Sequence, residues 1–365
     1  MTTDLAIDVE KRYDAFRLRA KLTALPGVLV LFGASGAGKT TILNAIAGLV
    51  RPDRGTIEAA GRTWFRRGRS GSNVDLPARV RRVGYVMQDY ALFPHMTALE
   101  NVCFPLRRDA GAEPRAHALL DRMSMAHLAG RRPDQLSGGQ QQRVAIARAL
   151  ASDSKVLLLD EPFAALDAPV RERLQRDLLA LQRDLGLIVV LVTHRLEDAF
   201  ALGDAMAVLR AGEIEQVGPL EDVFHRPATR GVAEIMGIRN LLRARVTGVG
   251  AVTWLDWNGL TLEAPADPTL ETGSDVTAYV RPDDVKIVYS DRPMSPAVEH
   301  NLVDAEIVTV HQGATARAVR VRLGNGSEIE LRFPLLSYAN MQLDPGTRIR
   351  IALRRNGIVL LGQLR

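Results

Sequence analysis

The chain has 365 residues, 47% of them hydrophobic and 24% charged, and a formal net charge of +5. These are the proportions of soluble globular chains, so a disordered or fibrous scaffold is excluded, and the length allows two or three domains rather than one small bundle. No apolar run approaches the ~18 residues that span a bilayer, the single cysteine, Cys103, rules out an intrachain disulfide or a thiolate cluster, and the small charge surplus demands no nucleic acid.

In chain order, the opening Met1-Thr2-Thr3-Asp4 lacks a basic segment followed by an apolar stretch, so no secretory signal is expected and the cytosolic side is the expected compartment. Gly27–Phe32 reads as a buried strand and residues 39 to about 48 as a helix. Between them, Gly33-Ala34-Ser35-Gly36-Ala37-Gly38-Lys39-Thr40, followed by Thr41, meets every position of a phosphate-binding loop. Its glycines let backbone N–H groups close around phosphate oxygens, Lys39 reaches the outer phosphates, and the Thr40 hydroxyl can ligate Mg²⁺. ATP with Mg²⁺ is the expected ligand. Arg62, Arg66, Arg67, Arg69, Arg79, Arg81 and Arg82 then form a basic stretch expected to be a solvated loop and strand edge.

Leu136-Ser137-Gly138-Gly139-Gln140 opens a helix that runs through Arg148 and supplies a second polar, Gly-containing helix start, again suited to an anion. One nucleotide needs one phosphate loop, so this start is expected to cover the γ-phosphate of a nucleotide held by another copy of the chain. The strand Val156–Asp160 ends in Asp160-Glu161. Carboxylates at the carboxyl end of a parallel strand lie where ligands bind in such sheets, which suits Asp160 to hold Mg²⁺ through water and Glu161 to polarise an attacking water. A helix over about 169–184 and a strand over 187–193 continue the alternation to about residue 225, the pattern of a parallel sheet covered by helices.

Beyond residue 240 the pattern becomes short period-two runs broken by Gly, Pro, Asn and Asp, as in small β-barrels. Val319, Val321 and Leu323, then Ile329, Leu331 and Phe333, predict a hairpin with one buried face and Arg/Glu pairs on the other. This half repeats itself. Residues 240–246, Asn-Leu-Leu-Arg-Ala-Arg-Val, echo residues 301–307, Asn-Leu-Val-Asp-Ala-Glu-Ile, and residues 273–282 echo 346–355. Two related barrels, or one barrel built from two copies, are expected, the second copy carrying an extra short helix around 337–341.

Taken together and in order over residues 5–230, these motifs resemble those of ATP-binding cassette ATPases. The resemblance implies a P-loop α/β domain over residues 1–235, followed over residues 236–365 by a mostly β, OB-like regulatory domain with repeats at about 240–290 and 301–365. It implies catalytic roles for Glu161, His194, Gln88 and Lys39: His194 touches the γ-phosphate, and Gln88 touches Mg²⁺ and the water while its loop senses a membrane partner. Metal contacts fall to Thr40, Gln88 and Asp160. Tyr13 matches the aromatic on which adenine stacks, with Phe16 close enough to substitute. Ala165-Leu166-Asp167 resembles the loop that crosses the dimer interface, and Ser137, Gly138, Gly139 and Gln140 complete the site of the opposite subunit.

The partners so implied are a second copy of the chain, an integral membrane permease and an extracytoplasmic solute-binding protein, with this subunit peripheral on the cytoplasmic face of a bacterial inner membrane. Val280-Arg281-Pro282-Asp283-Asp284-Val285 is similar to a segment of the C-terminal barrel of bacterial importer ATPases. The segment from Phe32 to Gly38, the run from Arg81 to His95 and the doubled barrel most resemble molybdate importers; sulfate, ferric iron and polyamine importers share the layout. Oxyanion-binding barrels carry Ser-x-Arg-Asn, where this chain has Ile238-Arg239-Asn240 and Glu299-His300-Asn301. Relatives that act on DNA or ribosomes use the same motifs, but the interval from Lys39 to Ser137 leaves no room for a long coiled coil, so no nucleic-acid partner is expected.

Overall fold

The computed structural model describes residues 4–14, 16–68, 71–106, 111–288, 299–338 and 343–361. The chain forms two compact units, Met1–Phe224 and His225–Arg365.

The first unit is built on a sheet of eleven strands among the described residues. Five neighbours, Ala205–Arg210, Gly27–Phe32, Ile188–Thr193, Val156–Asp160 and Gly84–Val86, run parallel in that order. Gly27–Phe32, Val156–Asp160 and Ile188–Thr193 are buried at every residue, as strands covered on both faces must be, and their unbroken apolar character follows from it. Antiparallel strands extend the sheet on one side, with Leu5–Tyr13 set between Phe16–Ala24 and Arg54–Ala59.

The helices that flank the sheet are bounded by local chemistry. In Ala168–Leu185 the buried Leu174, Leu178 and Leu181 recur at helical spacing, Asp167 caps the start by accepting from the Val170 N–H, and Gly186 ends it in the left-handed region. Register brings the strand ends together. Phe32 pairs with Thr193, Asp160 with Val192, and Val86 with Leu159. The residues that follow these ends, Gly33, Glu161, His194 and Gln88, therefore emerge at one edge of the sheet, the edge where parallel α/β sheets bind ligands.

The second unit holds two five-stranded antiparallel sheets. One contains Leu241–Val249, Thr253–Trp257, Leu260–Ala264 and Asp275–Val280; the other contains Leu302–Gln312, Ala316–Leu323, Glu328–Pro334 and Arg348–Leu353. Each sequence repeat gives its last strand to the other sheet. Val285–Val288 pairs with Arg348–Leu353, and Ile358–Leu361 pairs with Asp275–Val280. One hydrophobic core results, shared by Leu242, Val276 and Leu255 of one sheet and Val321, Leu331 and Ile351 of the other.

The repeated asparagines fasten the two copies in matching ways. Asn240 donates to the Glu330 carbonyl and accepts from its N–H, both at 2.7 Å. Asn301 does the same with Glu263, at 2.8 and 2.6 Å. In the hairpin, Val319, Val321, Leu323, Ile329, Leu331 and Phe333 are all buried, and Arg322 pairs with Glu328 at 2.8 Å on the outer face. Ser337 and Tyr338 form a turn; residues 339–341 of the expected short helix lie outside the described residues.

Candidate functional site

The loop from Gly33 to Gly38 leaves the buried strand Gly27–Phe32 and enters the helix Lys39–Ala47. Gly36 and Gly38 have φ of +77° and +107°, a region that side-chain-bearing residues enter only at a cost. A Cβ on Gly38 would lie 2.9 Å from the Phe16 ring. Ala34, Ser35, Gly36 and Thr40 are exposed, Thr41 is half-buried, and Ala37 is buried. Lys39 is buried beneath the loop, and its ammonium donates to the carbonyls of Gly33 at 2.9 Å and Ala34 at 2.8 Å. Burial pulls the Lys39 pKa down, while the carboxylates of Glu161 and Asp160 oppose that shift.

Asp160 is 6% exposed. Burial pushes its pKa up, offset by a hydrogen bond from Thr40 and by Lys39, and reinforced by the neighbouring charge of Glu161. Thr40 and Asp160 thus present two hard oxygen donors side by side. That set fits Mg²⁺, which takes one or two protein oxygens and completes its shell from phosphates and water.

Glu161 has a φ of +46°, unusual for a residue with a side chain, and its N–H donates to the Val192 carbonyl at 3.0 Å. Its carboxylate lies 3.2 Å from His194 Nδ1. The structure therefore joins the phosphate loop, Asp160, Glu161 and His194 through direct contacts. Gln88 is exposed one strand away, just beyond Gly84–Val86. Tyr85 in that strand donates to Asn44 Oδ1 at 3.1 Å, and burial raises its pKa.

Tyr13 is 45% exposed, with its ring centroid 6.3 Å from that of Phe16 and the Lys11 ammonium 5.7 Å above it. Phe16 packs toward Gly38. Tyr13 is the more exposed of the two rings.

Ser137 begins the helix Gly138–Leu150 and caps it reciprocally: it accepts from the Gln140 N–H, and Gln140 Oε1 accepts from the Ser137 N–H. Nothing approaches a Cβ built on Gly138, whereas one on Gly139 would lie 2.7 Å from Val170, beside Leu166. Gly139 therefore serves close packing against the segment that includes Asp167. Among the described residues no hydrogen bond or ion pair joins Ser137–Gln140 to residues 33–41. The helix start instead lines a groove of about 690 Å³ with His127, Arg143 and Arg173.

One expectation from the sequence needs correction. Arg62, Arg67, Arg79 and Arg82 are exposed and Arg66 is half-buried, but Arg81 is only 4% exposed. Its guanidinium donates to the carbonyls of Ala45 at 2.7 Å, Ile46 at 2.9 Å and Leu76 at 2.8 Å. It thereby caps the C-terminal end of the phosphate-loop helix, where the last carbonyls lack intrahelical partners. Nothing in a run of arginines marks the one that turns inward.

A parallel sheet with a phosphate loop, an acidic strand end and a separate capped, Gly-containing helix start defines a P-loop ATPase of the ATP-binding cassette class. A family profile described as ABC transporter matches residues 22–164. The spermidine/putrescine import ATP-binding protein of Nitratidesulfovibrio vulgaris is 40% identical over 82% of this chain and 80% of that protein. The sulfate/thiosulfate import ATP-binding protein CysA 2 of Chromobacterium violaceum is 40% identical over 94% and 91%. The molybdate/tungstate import ATP-binding protein of Thermococcus kodakarensis is 37% identical over 90% and 96%. A dimeric ATP-binding cassette in a post-hydrolysis state, bound to ADP and phosphate, is similar in structure, with a TM-score of 0.52 and 32% identity over 59% of this chain and 98% of that one.

The chain belongs to the ABC transporter family, as an importer ATPase that binds ATP with Mg²⁺ and couples its hydrolysis to transport.

Proposed function

We propose that two copies of this chain face each other head to tail, each completing the other's ATP site with Ser137 and Gly139. The dimer energises a membrane permease that imports an oxyanion of the molybdate/tungstate class. The carrying observation is that Ser137 caps its helix start, with Gly138 open beside it, and that among the described residues no hydrogen bond or ion pair links Ser137–Gln140 to the phosphate loop of the same chain. A helix start with open backbone N–H groups is suited to the phosphates of a second copy's nucleotide. The similar cassette that is dimeric and bound to ADP and phosphate supports a dimer.

In this reading Lys39 neutralises the outer phosphates, released from the Gly33 and Ala34 carbonyls that hold it otherwise. Thr40 and Asp160 would hold Mg²⁺, which would supply charge neutralisation on the phosphate oxygens. Glu161 orients and deprotonates the attacking water; His194, in contact with it, and Gln88 sense the γ-phosphate. Tyr13 offers its exposed ring to adenine. No helix among the described residues is long and apolar enough to cross a membrane. The import ATP-binding relatives support a subunit at the cytoplasmic face that drives a separate permease, supplied by an external solute-binding protein.

The molybdate/tungstate relative, matched over 96% of its length, supports the cargo, and the sulfate/thiosulfate relative, matched over 91%, supports an oxyanion. The spermidine/putrescine relatives favour a second reading, a polyamine cargo. In the β unit, Arg239 is paired with Glu330 at 3.0 Å, His300 and Arg355 lie 3.3 and 3.4 Å from Glu263, and Asn240 and Asn301 are bonded to backbone. Residues that could meet an oxyanion there are already engaged, so cargo choice belongs to the permease and the binding protein. The test is ATPase turnover of the reconstituted transporter while molybdate, tungstate, sulfate and spermidine are titrated through the binding protein. Stimulation by molybdate or tungstate is expected. Stimulation by spermidine alone refutes the oxyanion, and turnover indifferent to every solute refutes import.

A further inference from the structure

Gln88 is an inner residue of a tight turn that the Tyr90 N–H closes on the Met87 carbonyl at 2.9 Å. Two and three residues beyond Gln88, Tyr90 and Ala91 both have positive φ, +60° and +44°. Two adjacent side-chain-bearing residues in the left-handed region do not hold that shape unaided. What holds them is Arg148, in the helix that Ser137 begins. Its Nη2 donates to the Tyr90 carbonyl at 2.8 Å and its Nη1 to the Ala91 carbonyl at 2.7 Å.

The guanidinium also lies 5.5 Å over the Phe93 ring. Farther along, the buried Asn101 fixes the same segment, accepting from the Phe93 N–H and donating to the carbonyls of Phe93, Met96 and Thr97. The segment after Gln88 is thus pinned at two points, and the pin nearer Gln88 belongs to the helix of Ser137.

We propose that Arg148 is a positioning residue of the ATPase reaction: its two-pronged guanidinium staples the Gln88 turn to the helix that starts at Ser137, so that the two move as one body. A displacement of the turn by a membrane partner then reaches Ser137, eleven residues away along a rigid helix or about 16 Å at the usual rise. The proposal rests on the reading of Gln88 and Ser137 as γ-phosphate contacts from opposite subunits. A planar fork fixes the direction of two successive carbonyls at once; an ammonium can meet two carbonyls, as Lys39 does, but as a point charge on a flexible stem it does not fix their geometry.

The full-length Arg148→Lys variant tests it. The turnover number is expected to fall about tenfold or more, while the Kd for ATP, set by the untouched phosphate loop, moves less than about threefold. Adding Ala91→Gly is expected to restore much of the loss, because glycine adopts positive φ without help. Unchanged turnover in a folded Arg148→Lys protein overturns the proposal, as does a loss shared equally by turnover and affinity that Ala91→Gly does not lessen. Should the lysine variant not fold, spin labels at Asp89→Cys and Asp134→Cys in a Cys103→Ser background give the answer by pulsed EPR. One distance unchanged by ATP supports the staple, and an ATP-dependent distance overturns it. Glu161→Gln run in parallel separates the two levels: turnover that survives there refutes the ATP-site assignment, whereas turnover lost there and kept in Arg148→Lys refutes the staple alone.

Discussion

Replacing Glu161 by glutamine keeps the shape of the site and removes one charge. The backbone bond from Glu161 to Val192 and the positive φ do not depend on the side-chain charge, and the amide oxygen can still meet His194. What is lost is the ability to take a proton from water, a contribution of about 10²–10⁴ in rate, or roughly 3–5 kcal/mol of barrier. The same change removes a negative charge from a site that must receive a polyphosphate and that already contains Asp160. At ~8 Å and an effective dielectric of ~20–40, one unit charge is worth about 1–2 kcal/mol, so ATP is expected to bind about five- to thirtyfold more tightly. Single-turnover hydrolysis measured beside equilibrium ATP binding separates the two effects. Light scattering with ATP present is expected to show the variant as a persistent dimer. Turnover within about threefold of the parent, or weaker ATP binding, refutes the assignment of Glu161 as the base.

Arg81→Met strips three backbone carbonyls of a buried charged donor and is expected to destabilise the first unit by about 3–5 kcal/mol, seen as a lower urea midpoint; an unchanged midpoint contradicts the capping role. The hydrogen bond from Arg17, helped by Arg54, holds the Glu10 carboxyl below its ordinary value of 4.5. Its stabilising contribution is therefore present above that value and lost as pH falls through the depressed pKa, so Glu10→Gln should cost stability at pH 6 and progressively less toward pH 3 in urea titrations. Asn301→Ala removes bonds to Glu263 on both its backbone groups and to the Leu353 carbonyl, for an expected loss of about 2–3 kcal/mol in the second unit; differential scanning calorimetry with no shift would show that these bonds do not fasten the repeats.

The parts of the site visible in the sequence are those whose signal is local. The phosphate loop is a contiguous string between a strand and a helix, and Asp160-Glu161 follow an apolar run that can only be a buried strand. Parallel pairing then brings these ends together, because strands in register finish at the same edge. The exchange of last strands in the second unit was not legible for the complementary reason. Alternation tells which face of Val285–Val288 is buried, but the face is equally well buried against either sheet. Glu161's left-handed backbone left no trace either, since the residue carries a side chain and no glycine announces the turn.

The division of labour between the two basic residue types explains the rest. The chain contains five lysines among 47 basic residues, and Lys39 is the one that is buried. An ammonium is a point charge that can leave two carbonyls for a phosphate. The arginines Arg81, Arg143, Arg148 and Arg171 instead each donate to backbone carbonyls around the site, of Ala45 and Ile46, Met123, Tyr90 and Ala91, and Phe163 and Leu166 respectively. Their partners stand up to 58 residues away and are backbone atoms, which every residue possesses, so no side-chain pattern points to them. A rigid, permanently charged fork suits turns that must keep their shape while the nucleotide comes and goes, and the arginines around this site hold such turns for the one lysine that must let go.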